Sequence, residues 1–336
     1  MRIIIKIVVA ISLIFIGLMA WVNYEYNRFI STPLNIPEQG YNYLVKPGSN
    51  LQSISTDLTE AGLSSFHDKY LPLYGRLKNK SHLIKAGEYK LEANTTLPQL
   101  LEQLIEGKVI QYSFTIVEGM TSQQLIDSII ANKSFTRTLD KTSLKQVMLA
   151  IGLENKHGEG EFQPETYYFS AGTTDKSMLL RAHKAMSKTL EQAWNNKAEG
   201  LPYKTPYEAL IMASIIEKES GIAEERPQIA GVFVRRLKIG MRLQTDPTVI
   251  YGMGDSYNGN IRRKDLRTDT IYNTYTRFGL PPTPIALPSK EAIEAALHPL
   301  AGKSLYFVAT GKEGRHQFSN TLTAHNKAVR KYQLKR

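Results

Sequence analysis

Cysteine is absent from this sequence of 336 residues. That excludes disulfides, thiolate nucleophiles and cysteine-based zinc or iron–sulfur sites, and it leaves the redox compartment open. Histidine does not fill the gap. His67, His82, His157, His183, His298, His316 and His325 include no i,i+4 pair around a glutamate and no clustered acidic loop, so no metal site is expected. Gly252-Met253-Gly254 lacks the third glycine of a dinucleotide-binding turn, and no Walker-type phosphate loop occurs, so no cofactor is expected either. Internal repeats and low-complexity tracts are also missing. Acid is the scarcer charge: 31 Asp and Glu against 42 Lys and Arg leave a net +11, which points to an anionic partner such as nucleic acid, phospholipid headgroups or an acidic polymer. What is present is ordinary for a folded chain of one to three domains, with 42% apolar and 22% charged residues.

The N-terminus chooses among those partners. Ile3 to Val22 is apolar except for Lys6, and about twenty such residues at 1.5 Å rise cross a hydrocarbon layer roughly 30 Å thick. Lys6 can snorkel from near one end, and Trp21, Tyr24 and Tyr26 supply an aromatic belt at the other. Arg2 and Lys6 place the N-terminus in the cytoplasm and the remainder outside it, anchored in the inner membrane. A cleaved signal peptide is the competing reading, but the run is long for one and Leu18-Met19-Ala20 lacks a small residue three before a cut. Beyond the cytoplasm nucleic acid is not an expected partner. Anionic lipid or an anionic wall polymer is.

The organisation that follows is an anchor over 1–25, a Pro- and Gly-containing linker over 26–40, a small α/β unit over 41–115, and a larger mixed α+β domain over 116–336. In the small unit, spacing predicts a strand at Tyr41–Val45, a helix through Leu51, Ile54 and Leu58 to Gly62, and a helix over Tyr70–Leu77. It then predicts a strand at Glu88–Leu91, a helix from Leu97 to Ile105 closed by Gly107, and a strand at Gln111–Val117. Val45-Lys46-Pro47-Gly48-Ser49 ahead of an amphipathic helix resembles the opening of a LysM module, a strand–helix–helix–strand unit that binds N-acetylglucosamine polymers. In the larger domain amphipathic helices are expected within 121–151 and 177–195, a glycine-rich aromatic loop from Gly158 to Phe169, one strong helix after Pro206, and turns between 240 and 290.

The strong helix carries the acid chemistry. Thr205-Pro206-Tyr207-Glu208 reads as a capping box, with Glu208 reaching back to the Thr205 amide, and Gly221 reads as the stop. Glu217 and Glu219 stand two residues apart, about 200° around the axis, so they cannot flank one glycosidic bond as a pair. Glu219 continues the stripe Met212, Ile215, Ile216 and emerges from an apolar face, where partial burial raises a carboxyl pKa as a general acid requires. Glu217 follows Leu210, Ala213 and Ser214, a face suited to pairing with Arg or Lys. By pattern alone both also read as solvated charges near a helix C-terminus, where the dipole disfavours acid.

Two further blocks are rich in groups that bind sugars. Arg242 to Gly254 packs an amide, a hydroxyl, a carboxylate and a phenol into a short stretch, and Tyr272-Asn273-Thr274-Tyr275 with Gly279-Leu280-Pro281-Pro282 adds an aromatic platform and a stiff turn. Turn-forming polarity accounts for either block taken alone. Together with the anchor, Val117-Glu118-Gly119-Met120, Phe162-Gln163-Pro164-Glu165-Thr166-Tyr167 and Ala213 to Glu219, they closely resemble the endolytic murein transglycosylase family, also called YceG-like. The chain departs from the family pattern at Gln163 and Glu165, where an aromatic and Asp are common, and at Thr283, where Gly is.

The resemblance implies a membrane-anchored enzyme that cleaves peptidoglycan strands between N-acetylmuramic acid and N-acetylglucosamine, with Glu219 as its general acid and base. The muramyl C6 hydroxyl would attack C1 and leave a 1,6-anhydro end, so no second carboxylate is needed. Gln244, Asp246, Tyr251, Asn273 and Tyr275 are the residues expected to position the sugar. The resemblance also implies association with wall-synthesising enzymes such as penicillin-binding proteins, which no motif here encodes. Two rivals stay open: a water-using muramidase with Asp246 as second carboxylate, and a non-enzymatic wall-binding module.

Overall fold

The computed structural model describes residues 1–140, 143–312 and 314–334. The chain forms two compact units, residues 1–112 with 168–172, and residues 113–167 with 173–336. Helices alternate with three two-stranded sheets among the described residues, β1–β2, β3–β4 and β5–β6.

The first unit contains α1 (Arg2–Ser31), β1 (Tyr41–Val45), α2 (Leu51–Glu60), α3 (Tyr70–Leu77), β2 (Gly87–Leu91) and α4 (Leu97–Glu106), and β3 (Gln111–Thr115) starts in it. Local chemistry sets these boundaries. Asn50 with Ser53, and Thr96 with Gln99, close reciprocal capping boxes at the starts of α2 and α4, and Gly107 ends α4 in the left-handed region at φ 73°. β1 and β2 pair antiparallel from Tyr41 opposite Leu91 to Val45 opposite Gly87, and Ile54, Leu58, Leu71, Tyr89, Leu100 and Leu104 fill the core beside them. α1 is long and apolar enough to cross a membrane. It continues to Ser31, and Phe29 and Leu34, within the stretch over 26–40 expected to be a linker, are buried in the core of this unit. The ring of Phe29 lies against Phe66, Tyr70 and Tyr74, which an alternation-based reading of a Pro-rich segment does not reveal.

The second unit holds α5 (Ser122–Ala131), α6 (Leu144–Ala150), α7 (Asp175–Asn195), α8 (Pro206–Glu219), α9 (Arg226–Lys238), α10 (Asp246–Met253), α11 (Arg263–Arg267) and α12 (Lys290–Leu297). It closes with β5 (Tyr306–Ala309), β6 (His316–Ser319) and α13 (Leu322–Tyr332); β4 (Thr166–Ser170) runs from this unit into the first. α8 is its centre. Ala209 to Ile216 are all buried, and their partners in the core include Phe233 of α9, Ile293 of α12 and Met186 of α7. The apolar stripe expected on α8 is therefore one face of a helix covered on every side from Ala209 to Ile216, and its last turn emerges.

Both ends of α8 differ from expectation in detail. The Thr205 hydroxyl does accept the Glu208 amide, at 3.3 Å, but Glu208 takes the N–H of Lys204, at 2.5 Å, in place of that of Thr205. The helix ends at an extended Ser220, φ −142°, whose hydroxyl caps Ile222, so Gly221 is not the stop. Asp246–Met253 is helical although its Pro, Thr and Gly content reads as turns, because Pro247 in the first turn of α10 has no N–H to lose there.

Candidate active site

The last turn of α8 aims its two carboxylates apart. Glu217, its side chain 5% exposed, is fully partnered: Oε1 accepts from Arg226 at 2.8 Å, and Oε2 from the Ser289 amide at 2.8 Å and hydroxyl at 2.5 Å. Arg226 also donates to the Ser289 hydroxyl, at 2.7 Å, and that hydroxyl caps α12 through Ala292. This cluster locks α8, α9 and α12 together. The pairing with arginine expected for Glu217 is present, and the solvated reading fails for both acids.

Glu219 faces a different surrounding. Its carboxyl opens into a cavity of about 550 Å³ that is also lined by Arg236, Gln244, Asp246, Tyr275 and His316. Its hydrogen-bond donor is the Thr245 hydroxyl. Burial pushes its pKa up to about 7, Asp246 adds to the rise, and the Thr245 bond, His316 and Arg236 oppose it. An acid poised there is protonated often enough at neutral pH to donate and ionises readily enough to accept afterwards.

A hydroxyl knot holds the segment facing Glu219. Gln244 adopts φ 51°, a left-handed conformation unusual for a side chain of that size, and its N–H donates to the Thr274 carbonyl at 3.2 Å. The Thr245 amide donates to the Thr274 hydroxyl at 3.1 Å, which also meets the Thr248 hydroxyl at 2.9 Å. Thr245, Thr248 and Thr274 are buried, so these bonds are not shared with water. They fix the turn that starts α10 and so aim Thr245 at Glu219. One residue on, Asp246 accepts from the Tyr275 hydroxyl at 2.6 Å, and burial together with this carboxylate pushes the phenol pKa up.

The two sequence blocks thus meet. Of the residues expected to bind sugar, Gln244, Asp246 and Tyr275 line the cavity with Glu219. Tyr251 and Asn273 do not. Tyr251 donates to Glu159 at 3.0 Å and packs edge-on against Tyr272, because its place on α10 turns it away from Asp246. Asn273 is fully buried: its amide nitrogen donates to the carbonyls of Leu266 and Thr268, at 3.2 and 2.7 Å, and its oxygen accepts the Tyr275 amide at 2.8 Å. It braces the loop that presents Tyr275.

The family whose model matches the chain, over residues 43–331, is described as the YceG-like family. The chain belongs to it. Two Streptococcus pneumoniae proteins named endolytic murein transglycosylase are each 30% identical over 97% of this chain, which spans 65% of their length. A Bacillus subtilis protein of the same name is 31% identical over 87% of this chain and 84% of its own. A crystal structure of a YceG-like protein from Listeria monocytogenes aligns with TM-score 0.52 and 30% identity, covering 87% of this chain and 99% of that one.

For this member of the YceG-like family the cavity also contains residues that motif reading missed. Arg236 of α9 is buried, and its guanidinium donates to the carbonyls of Leu243 and Leu305 at 2.6 and 2.7 Å, joining the Gln244 turn to β5. Burial lowers its pKa, and its planar group lies 5.2 Å from the Tyr306 ring centre. His316, Tyr306 and His325 complete the wall from the C-terminal strands and α13. The missed Glu159 is a buried carboxyl with a raised pKa, caused by burial, and it accepts from the Ser122 amide at 2.8 Å as well as from Tyr251. Its place in Gly158-Glu159-Gly160 was a usable signal: two left-handed glycines flank it, at φ 91° and 77°. Among the described residues no group of His, Asp and Glu could hold a metal ion.

Proposed function

We propose that this protein is an endolytic peptidoglycan lytic transglycosylase, with Glu219 as general acid and base. The observation that carries the reading is the Glu219 carboxyl, its pKa raised toward neutrality by burial, opening into a polar cavity with no cationic side chain bonded to it among the described residues. Glu219 protonates the oxygen that links N-acetylmuramic acid to N-acetylglucosamine. The C1–O4 bond breaks, and the ionised Glu219 accepts the proton of the muramyl C6 hydroxyl as O6 bonds to C1. The attacking group is tethered to the reacting sugar, which raises its effective concentration and removes the need for a carboxylate nucleophile. Gln244, Asp246 and Tyr275 contact the sugar, with Thr245 and Arg236 holding the acid and its wall in place.

Relatives named endolytic murein transglycosylase support the substrate and the reaction class. The length and apolarity of α1 support a single-pass inner-membrane anchor, with Arg2 and Lys6 cytoplasmic and the chain that follows α1 outside. The order β1, α2, α3, β2 supports a LysM-like glycan-binding role for the first unit. A net charge of +11 suits anionic lipid and an anionic wall.

A muramidase reading has one specific observation in its favour, because Asp246 shares the cavity with Glu219. End-group analysis separates the two. The full chain in detergent, incubated with purified glycan strands, is expected to release 1,6-anhydromuramic ends by mass spectrometry, and Glu219→Gln is expected to release none. Reducing ends would establish the hydrolase. Equal binding without cleavage by both forms would leave a wall-binding module.

A further inference from the structure

Glu225 and His316 form a second acid–base pair at the cavity that the proton transfers above do not use. Each side chain is 10% exposed. Oε1 of Glu225 accepts the backbone N–H of His316 at 3.1 Å, and Oε2 meets Nδ1 of its ring at 2.8 Å. One carboxylate therefore clamps a single residue at two points. An ionised carboxylate only accepts, so the ring carries its hydrogen on Nδ1, and Nε2 has a lone pair in the neutral form. Among the described residues no hydrogen bond reaches Nε2. Phe307 and Phe318 lie edge-on to the ring, at 5.4 and 6.4 Å between centres, and hold its plane while the residue lines the Glu219 cavity. A buried carboxylate–imidazole pair is a poor source of stability, and a carboxylate behind a histidine is a recurrent way to set tautomer and aim.

We propose that His316 is a second catalytic residue, its tautomer set by Glu225, whose neutral Nε2 accepts a hydrogen bond from a hydroxyl of the sugar bound against Glu219. Glu225 is the positioning residue. The inference rests on the Glu219 cavity being the site of glycan cleavage. The charged and titratable groups around His316 come from every wall: Glu219 on α8, Glu225 after it, Arg236 on α9, Asp246 on α10, Tyr306 on β5 and His325 on α13. Loss of the Glu219 proton is expected to set the basic limb of kcat/KM.

The test uses the full chain in detergent on purified glycan strands, with His316→Gln and Glu225→Gln. His316→Gln takes the clamped Nε2 acceptor away and is expected to drop kcat/KM about tenfold, while the basic limb set by Glu219 stays in place. Glu225→Gln presents an amide that can donate as well as accept, so it no longer fixes the ring hydrogen on Nδ1, and Nε2–H is expected to appear in nitrogen-15 NMR of the His316 ring. An unchanged kcat/KM in His316→Gln, or an unchanged tautomer in Glu225→Gln, overturns the proposal. Nitrogen-15 NMR of the His316 ring in the unsubstituted protein needs no variant to fold: Nδ1–H is expected, and Nε2–H as the neutral form contradicts it. Full cleavage by Glu219→Gln would remove the underlying reading. An inactive Glu219→Gln beside an unaltered kcat/KM in His316→Gln removes only the role of His316.

Discussion

The two sides of the last turn of α8 put the same side chain to opposite uses. On one side Glu217 meets a guanidinium, an amide and a hydroxyl, and both its oxygens are occupied. On the other, among the described residues, Glu219 meets one threonine hydroxyl and a cavity. Depth of burial does not distinguish the two, since both leave bulk water. Partnership does: a buried carboxylate with an arginine becomes a joint between helices, whereas one without a bonded cation holds its proton to higher pH and becomes an acid.

Exchanging the two acids for neutral residues sharpens this contrast. Glu219→Gln is expected to lower kcat by about 10³-fold or more, within the range that general acid–base catalysis supplies, with no loss of thermal stability. Glu217→Ala is expected to do the reverse. Removing it strands Arg226 in the core at a cost of about 3–5 kcal/mol, read as a fall of about 10 °C in melting temperature, while molecules that remain folded still cleave.

A smaller effect follows from the pH dependence of stability. The pKa of Glu219 is about 7 in the fold against an ordinary 4.5. Below 4.5 the carboxyl is neutral in both states. As pH rises it ionises first in the unfolded chain, so the fold loses stability progressively until about 7. Glu219→Gln is therefore expected to be more stable than the unsubstituted protein at pH 8, by about 3 kcal/mol, and no more stable at pH 4. Thr245→Val is the gentlest change. It removes the hydrogen bond that favours the carboxylate, so the basic limb of the rate profile is expected to move up by less than about one pH unit, with the knot at the Thr274 hydroxyl still accepting the residue 245 amide.

The contrast between Glu217 and Glu219 was half legible in the sequence. Their opposite directions follow from helical geometry, and the suitability of the Glu217 face for a cation follows from its small neighbours. The first unit was also legible, because Asn50, Thr96 and Gly107 mark ends and alternation marks β1 and β2. What pattern could not supply was the far wall. Arg226 and Ser289 reach Glu217 from separations of 9 and 72 residues, and Thr245 reaches Glu219 from 26. No local period encodes such meetings. Asn273 shows the converse error: an amide in a polar block suggests a ligand, and the loop carbonyls of Leu266 and Thr268 claim it instead. α10 was hidden because Pro247 and Gly252 read as breakers, although Pro is well tolerated in a first helical turn.

The most direct test is the ionisation of Glu219 itself. Carbon-13 NMR of the glutamate side-chain carboxyls in the full chain, compared with Glu219→Gln, isolates the resonance that the substitution removes. It is predicted to titrate near pH 7. A midpoint near 4.5 would mean that the cavity holds Glu219 as an ordinary carboxylate, and the account of it as the proton donor would fail.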